Sequence, residues 1–266
     1  MVLHDEAVLE FPYDWRLSVE SSARRLTEAA LRHLRDWRAH PAGRASAFRR
    51  SADRPKLVLV AHSMGGLVAQ AALAASPELA DATRDLITIG TPFHGIPGVA
   101  GFLGSDSRLR RSSWLRQLGE AARTMPGFYD LLPDTRCVVT PDGDLRRLTV
   151  EDIGAIGGDK SLALEAEEAR HRRAAAAWGP TQLHTIAGTS QPTPRTMTLV
   201  NGEVRFSPDI PRPDEDGDPA DGPRAWTAPA DEEGTVWCRC PARRPPGPPP
   251  GCPWWDSTVR CPPARP

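Results

Sequence analysis

At 266 residues the chain is long enough for one large domain with a sizeable buried core. Its 33 basic and 34 acidic side chains nearly cancel to a formal charge of -1, which excludes steering by net charge toward nucleic acid or an anionic membrane. The N-terminal residues Met1 to Glu6 form no basic segment leading into an apolar run, and no stretch of about 18 apolar residues occurs. The default expectation is therefore a cytoplasmic chain without its own export signal or transmembrane segment, with transient membrane-surface contact still open to it.

Lys56 and Lys160 are the only lysines, and the abundance of Arg, Ala, Pro and Gly fits a GC-rich coding sequence. Of five cysteines, Cys137 stands alone, while Cys238, Cys240, Cys252 and Cys261 crowd the last thirty or so residues without the paired C-x2-C knuckles of a structural zinc site. No Gly-rich phosphate cradle with its lysine and no cluster of metal ligands is present, so neither a metal nor another cofactor is expected.

In chain order, Ala7 to Phe11 is a short apolar run ending at Pro12 and reads as a strand entering a turn. From Val19 the apolar or small residues Val19, Ala23, Leu26, Ala30, Leu34 and Trp37 recur every three or four positions. That spacing lines one face of a helix, with Ser18 as its cap and Glu20 near the positive end of its dipole. A polar, Arg-rich loop is expected next. Leu57 to Ala61 is continuously apolar, as a central strand covered on both faces of a parallel sheet requires. Gly65 to Leu73 reads as a helix, and Leu86 to Gly90 repeats the strand signal. Strands alternating with helices predict an α/β fold with a mostly parallel sheet flanked by helices.

Residues 101 to about 180 change to Arg- and Ala-rich helical stretches, interrupted by a turn around Val138 to Asp144, and read as a cap inserted over the sheet. The sheet is expected to resume at His184 to Gly188, and Met197 to Phe206 reads as a hairpin closed by Asn201-Gly202. The acidic, Pro/Gly-rich stretch between Pro211 and Glu233 reads as a surface loop. Residues 237–266 are rich in Pro, Arg, Cys and Trp without apolar periodicity, which predicts a disordered tail.

The chemical signal lies in Ala61-His62-Ser63-Met64-Gly65, between the apolar strand and the helix. A serine hydroxyl needs a base and a site for the oxyanion before it attacks an ester. A sharp strand-to-helix turn lifts the side chain above the sheet and aims the next backbone N–H, that of Met64, at the developing charge. Small residues are needed two positions either side of the serine, and Ala61 and Gly65 stand there. The bland alternative is that Ser63 merely caps the helix. His62 is rejected as the base, because neighbours at such an elbow point apart and the base normally arrives from a later loop.

The elbow, Phe11-Pro12-Tyr13-Asp14-Trp15-Arg16, Gly90-Thr91-Pro92-Phe93-His94-Gly95 and Tyr129-Asp130-Leu131-Leu132-Pro133 occur in an order that resembles the lecithin:cholesterol acyltransferase-like proteins, especially bacterial ones. Gly188 to Thr193 and Glu233-Gly234-Thr235-Val236 continue it, so the resemblance spans roughly residues 7 to 236 and sets them apart from the tail. It implies an α/β-hydrolase that cleaves a lipid ester through an acyl-enzyme on Ser63 and passes the acyl group to water or another hydroxyl. It further implies a triad in the order Ser, acid, His, with Glu233 as the acid and Asp231 as the alternative. His94 and the Tyr13 to Arg16 segment are read as structural, the latter as an Asp/Arg pair with aromatic packing that braces a loop.

The resemblance breaks at both ends. The seven histidines are His4, His33, His40, His62, His94, His171 and His184, and none follows Glu233. His184 opens a predicted core strand and is expected to be a satisfied core residue. Only about ten residues precede Tyr13, so N-terminal strands, and with them the second oxyanion donor, are expected to be missing. The shift at Trp237 is what a reading-frame change in GC-rich DNA produces. Two functions compete: a serine-dependent lipid-ester hydrolase or O-acyltransferase, and a catalytically dead fragment or interaction module that keeps the scaffold.

Overall fold

A computed structural model describes residues 4–49, 54–104, 113–176, 180–188 and 193–207. The first long element is α1 (Val19–Ala39). It begins where Ser18, extended at φ -60° and ψ 149°, accepts a hydrogen bond from the Ser21 N–H. The periodic residues Val19, Ala23, Leu26, Ala30 and Leu34 are all buried. They pack on α3 (Met64–Ala75), a helix buried almost all round because it lies between α1 and the sheet.

The sheet itself consists of β1 (Leu57–His62), β2 (Thr83–Ile89) and β5 (Gln182–Ile186), in the order β1-β2-β5 and parallel throughout. This is an α/β-hydrolase-type arrangement: a parallel sheet whose strands feed helices through short connections. The helix α4 (Pro77–Ala82), capped by Ser76 and opened by Pro77, returns the chain from α3 to β2.

Three expectations are corrected. Residues 8 to 14 form no strand. A short 3-10 turn at Asp5–Ala7 precedes them, and Val8 and Leu9 are exposed. The Arg-rich stretch after α1 is not a loop, for Pro41–Arg49 forms α2, which starts on a proline and holds three alanines and two arginines that favour helix. Finally, β1 is not the central strand. Among the described residues β2 holds the middle and β1 an edge, and β1 alternates between half-buried and exposed positions.

That alternation separates two unlike faces. Leu57, Leu59, Ala61, Leu86 and Leu183 face the α1/α3 layer. On the opposite face, Val60 is 67% and Ile186 55% exposed, with Val58 and Ile89 beside them. Among the described residues, the expected cover on both faces is therefore present on one.

A second core is built by the segment from α5 (Ala100–Leu103) onward. It takes in α6 (Ser113–Ala122), α7 (Pro126–Asp130), α8 (Val150–Ala155) and α9 (Lys160–Ala175). A small sheet of order β4-β3-β6-β7 joins them, from β3 (Arg136–Val139), β4 (Leu145–Arg147), β6 (Thr196–Val200) and β7 (Glu203–Ser207). The β6–β7 hairpin belongs to this second sheet, and its turn uses Asn201 at φ 52° and Gly202 at φ 78°, the left-handed pair that a two-residue hairpin needs. Tyr129, Leu103, Cys137, Val138, Ile153 and Met197 fill the core between the layers.

The two cores meet at a buried charge cluster. The carboxylate Oδ2 of Asp130 accepts the Val19 N–H at 2.8 Å, capping α1 from a residue 111 positions away. Arg173 on α9, itself buried, pairs with Glu20 on α1 and lies 3.5 Å from Asp130 Oδ1, which has no hydrogen-bond partner. Desolvation, with Glu20 nearby, pushes the Asp130 carboxyl up to about 6, against the pull of the Val19 N–H and of Arg173.

Candidate active site

Ser63 stands between β1 and α3 at φ 53° and ψ -130°, one of two non-glycine residues with positive φ among those described. Its N–H donates to Ile89 O at 2.9 Å, which continues the β1/β2 ladder one rung past the strand. Its carbonyl accepts twice, from Gly66 N–H at 3.0 Å and from the Thr91 hydroxyl at 2.9 Å. The turn is thus held from both neighbouring segments, the helix in front and the loop after β2.

Glycine is required at position 66. A Cβ there would overlap the Thr91 side chain, which is fully buried. Gly65 is less confined: a Cβ on it would stand 3.7 Å from the Tyr13 hydroxyl and 3.8 Å from Ala61 Cβ, ordinary contacts. Tyr13 therefore lies against the start of α3, its ring stacked on Phe11, and burial raises its phenol so that it keeps its proton at neutral pH. Met64 is the first residue of α3, so its N–H has no partner within the helix.

The Tyr13 to Arg16 segment has the bracing role expected of it. Arg16 forms a forked pair with Asp14, at 2.8 and 2.7 Å, and Trp15 meets Phe128 of α7 edge-on. The guanidinium holds the Asp14 carboxyl well down, at about 2. Gly127 packs so closely under Trp15 and Leu17 that any side chain there would overlap their carbonyls, which ties this loop to α7.

The histidines fall in different places. His62 is exposed on the open face of the sheet. His184 is not a core residue: its side chain is 53% exposed, and it pairs with Asp85 at 3.1 Å across the β2/β5 seam. His94, in the loop that follows β2, directs Nδ1 at Asp134 with distances of 3.1 and 3.4 Å to the two carboxylate oxygens. The Asp134 contact raises the imidazole's pKa above its ordinary value, against desolvation and the charges of Arg170 and Arg147. Sequence reading misses this pair because its members are 40 residues apart and join two separate loops.

The expected acids Glu233 and Asp231 lie outside the described residues, as do the four C-terminal cysteines. Cys137 is buried as a free thiol, pushed up to about 12 by its apolar surroundings. Among the described residues no group of three or more His, Cys, Asp or Glu side chains is arranged to hold a metal ion, and no helix is long and apolar enough to cross a membrane.

Residues 45–103, which contain β1, the elbow, α3, β2 and the His94 loop, match the family profile described as a PGAP1-like alpha/beta domain. A 134-residue stretch, 50% of the chain, is 29% identical to the uncharacterized protein YJR098C of Saccharomyces cerevisiae. The chain spans 17% of that protein's length. Among solved structures, one described as the crystal structure of the Tle4-Tli4 complex aligns with a TM-score of 0.42 and 16% identity, over 64% of this chain and 43% of that one.

Proposed function

We infer that this chain is a serine-dependent lipid-ester hydrolase or O-acyltransferase that works through an acyl-enzyme on Ser63. The observation that carries the reading is the backbone of Ser63. A non-glycine residue held in such a conformation costs roughly 1–3 kcal/mol. A simple helix cap has no need of it. Ser18 and Ser76 cap their helices from extended backbone, at φ -60° and -129°, and their side chains accept helix N–H groups. Ser63 makes no side-chain cap hydrogen bond. Its strained turn instead stands at the C-terminal end of β1, where open α/β sheets bind ligands.

Further support comes from the profile match over residues 45–103, centred on the same strand-turn-helix unit. In this reading Ser63 Oγ attacks the ester carbonyl and the Met64 N–H stabilises the oxyanion. Lipid esters as substrates, and an acyl acceptor other than water, rest on the resemblance to lecithin:cholesterol acyltransferase-like proteins. The test is covalent labelling by a fluorophosphonate. Parent protein is expected to react at Ser63 and Ser63→Ala not at all. Equal absence of labelling in both would overturn the reading in favour of a non-catalytic scaffold. Turnover of p-nitrophenyl esters of increasing acyl length then tests for a lipid-like preference.

A further inference from the structure

A cavity of about 180 Å³ lies where α1 of the first core meets α7 and α9 of the second. Four carboxylates line it, those of Glu20, Asp130, Glu165 and Glu168. Burial grades them from the inside out. Asp130 is 2% exposed, Glu20 is half-buried, and Glu165 and Glu168 are exposed at the mouth. Against them the wall sets only Arg172, 3.9 Å from Glu168. Arg173 stands behind the wall, paired with Glu20 and 3.5 Å from Asp130. Two of the four negative charges are therefore left without a positive counterpart.

An acidic wall alone is a solvated surface, and Asp130 is what makes this one different. Its Oδ2 accepts the Val19 N–H at 2.8 Å, whereas Oδ1 is buried and has no hydrogen-bond partner. Arg173 does not supply the missing donor. Its Nη1 bonds Glu20, and 3.5 Å to Asp130 is too long for a charge-assisted hydrogen bond. A buried carboxylate oxygen without a donor is costly, and desolvation, with Glu20 beside it, is what raises this carboxyl to about 6.

The chemistry that fits must bring N–H donors and positive charge together. Among the described residues no three His, Cys, Asp or Glu side chains converge as metal ligands do, so a coordinated divalent ion is a poor match. The rest of the wall, from Pro126, Leu162, Ala166 and Ala169, is apolar and suits a short run of methylenes. An ammonium is a compact charge with three donors, and an aliphatic chain with one at each end carries the two positive charges the wall lacks.

We propose that this cavity binds a short aliphatic diamine, its inner ammonium donating to Asp130 Oδ1 and Glu20 and its outer ammonium meeting Glu165 and Glu168. Nothing in this site involves Ser63, so it stands or falls separately from the reading of that serine as a nucleophile. Because Glu20 belongs to α1, Asp130 to α7 and the other two to α9, a bound diamine fastens one core to the other and stabilises the folded chain.

The test is isothermal titration calorimetry of the whole chain with putrescine, near neutral pH and at fixed ionic strength, with thermal melting alongside. Saturable binding and a higher melting temperature are expected. n-Butylamine, with one ammonium, is expected to bind roughly 10-fold more weakly, and tetramethylammonium, which has charge but no N–H, not to bind. Asp130→Asn is expected to lose about 10-fold or more in affinity for putrescine while its own melting temperature shows it folded. Glu165→Gln with Glu168→Gln changes only exposed positions. It is expected to weaken putrescine and leave n-butylamine unchanged. Asp130 is faced by Glu20 from α1 and by Arg170 and Arg173 from α9, and protons compete with the ammonium for it, so affinity is expected to fall about 10-fold from about pH 7 to about pH 5. No saturable binding at millimolar putrescine overturns the proposal. So does equal binding of n-butylamine or tetramethylammonium, or undiminished binding by folded Asp130→Asn or by the double variant at the mouth.

Discussion

Asp130 offers a measurement of how the two cores are joined. Replacing it with Asn keeps an acceptor for the Val19 N–H and removes the charge beside Glu20. A carboxyl moved from 3.8 to about 6 corresponds to about 3 kcal/mol, at about 1.4 kcal/mol per pH unit. The sign follows from proton binding: between these values the unfolded chain has lost the proton while the folded chain keeps it. Stability from this group is therefore highest at low pH, falls as pH rises through the window, and stays reduced above about 6. The assay is urea unfolding of parent and Asp130→Asn at intervals between about pH 4.5 and 7, the window set by the shift. The difference in unfolding free energy, variant minus parent, is expected to rise across that range by about 2 kcal/mol, the part of the shift that lies above pH 4.5. Titrating groups remote from the Asp130, Glu20 and Arg173 cluster cancel in the difference. A difference that stays flat with pH would refute the account of Asp130 as a carboxylate held at a cost between α1 and α9.

Three other outcomes are expected. Ser63→Gly relieves the positive φ and raises stability by about 1 kcal/mol while abolishing fluorophosphonate labelling, whereas Ser63→Ala loses labelling without the gain; denaturant midpoints separate the two. Gly66→Ala forces a methyl group into the buried Thr91 side chain, so its melting temperature falls by an amount equivalent to about 1–3 kcal/mol, and labelling of Ser63 slows as the turn shifts. Tyr129→Phe removes a hydroxyl that donates to Arg123 O at 2.7 Å and accepts from Asp159 N at 2.8 Å, and it costs about 1–3 kcal/mol in urea unfolding because both backbone groups lose their partner.

What was legible in the sequence was local. α1 announces itself through apolar spacing and Ser18, and the β6–β7 turn through Asn201-Gly202, because each depends on residues within a few positions of one another. The elbow belongs to the same class, since strand, turn and helix follow within twenty residues or so. What was not legible depends on partners distant in the chain. The apolar run Leu57 to Ala61 suits a strand buried on both faces, but burial is decided by what packs on it, and among the described residues one face of this sheet is open. Residues 8 to 11 have strand-like composition, yet a strand needs a neighbour to pair with. α2 was hidden by its arginines, which suit a solvated helix as well as a loop. Asp130 as the remote cap of α1, and Asp134 as the brace of His94, have no sequence signature at all.

The edge position of β1 bears on how firmly the serine is aimed. Among the described residues, every rung that positions Ser63 laterally, up to its N–H on Ile89 O, lies on the β2 side. The strand is fastened along one seam, like a hinge leaf. Fluctuations of that seam therefore bear directly on the serine. Reactivity at Ser63 and amide-exchange protection of Val58 to Ala61 are then two readings of one stiffness.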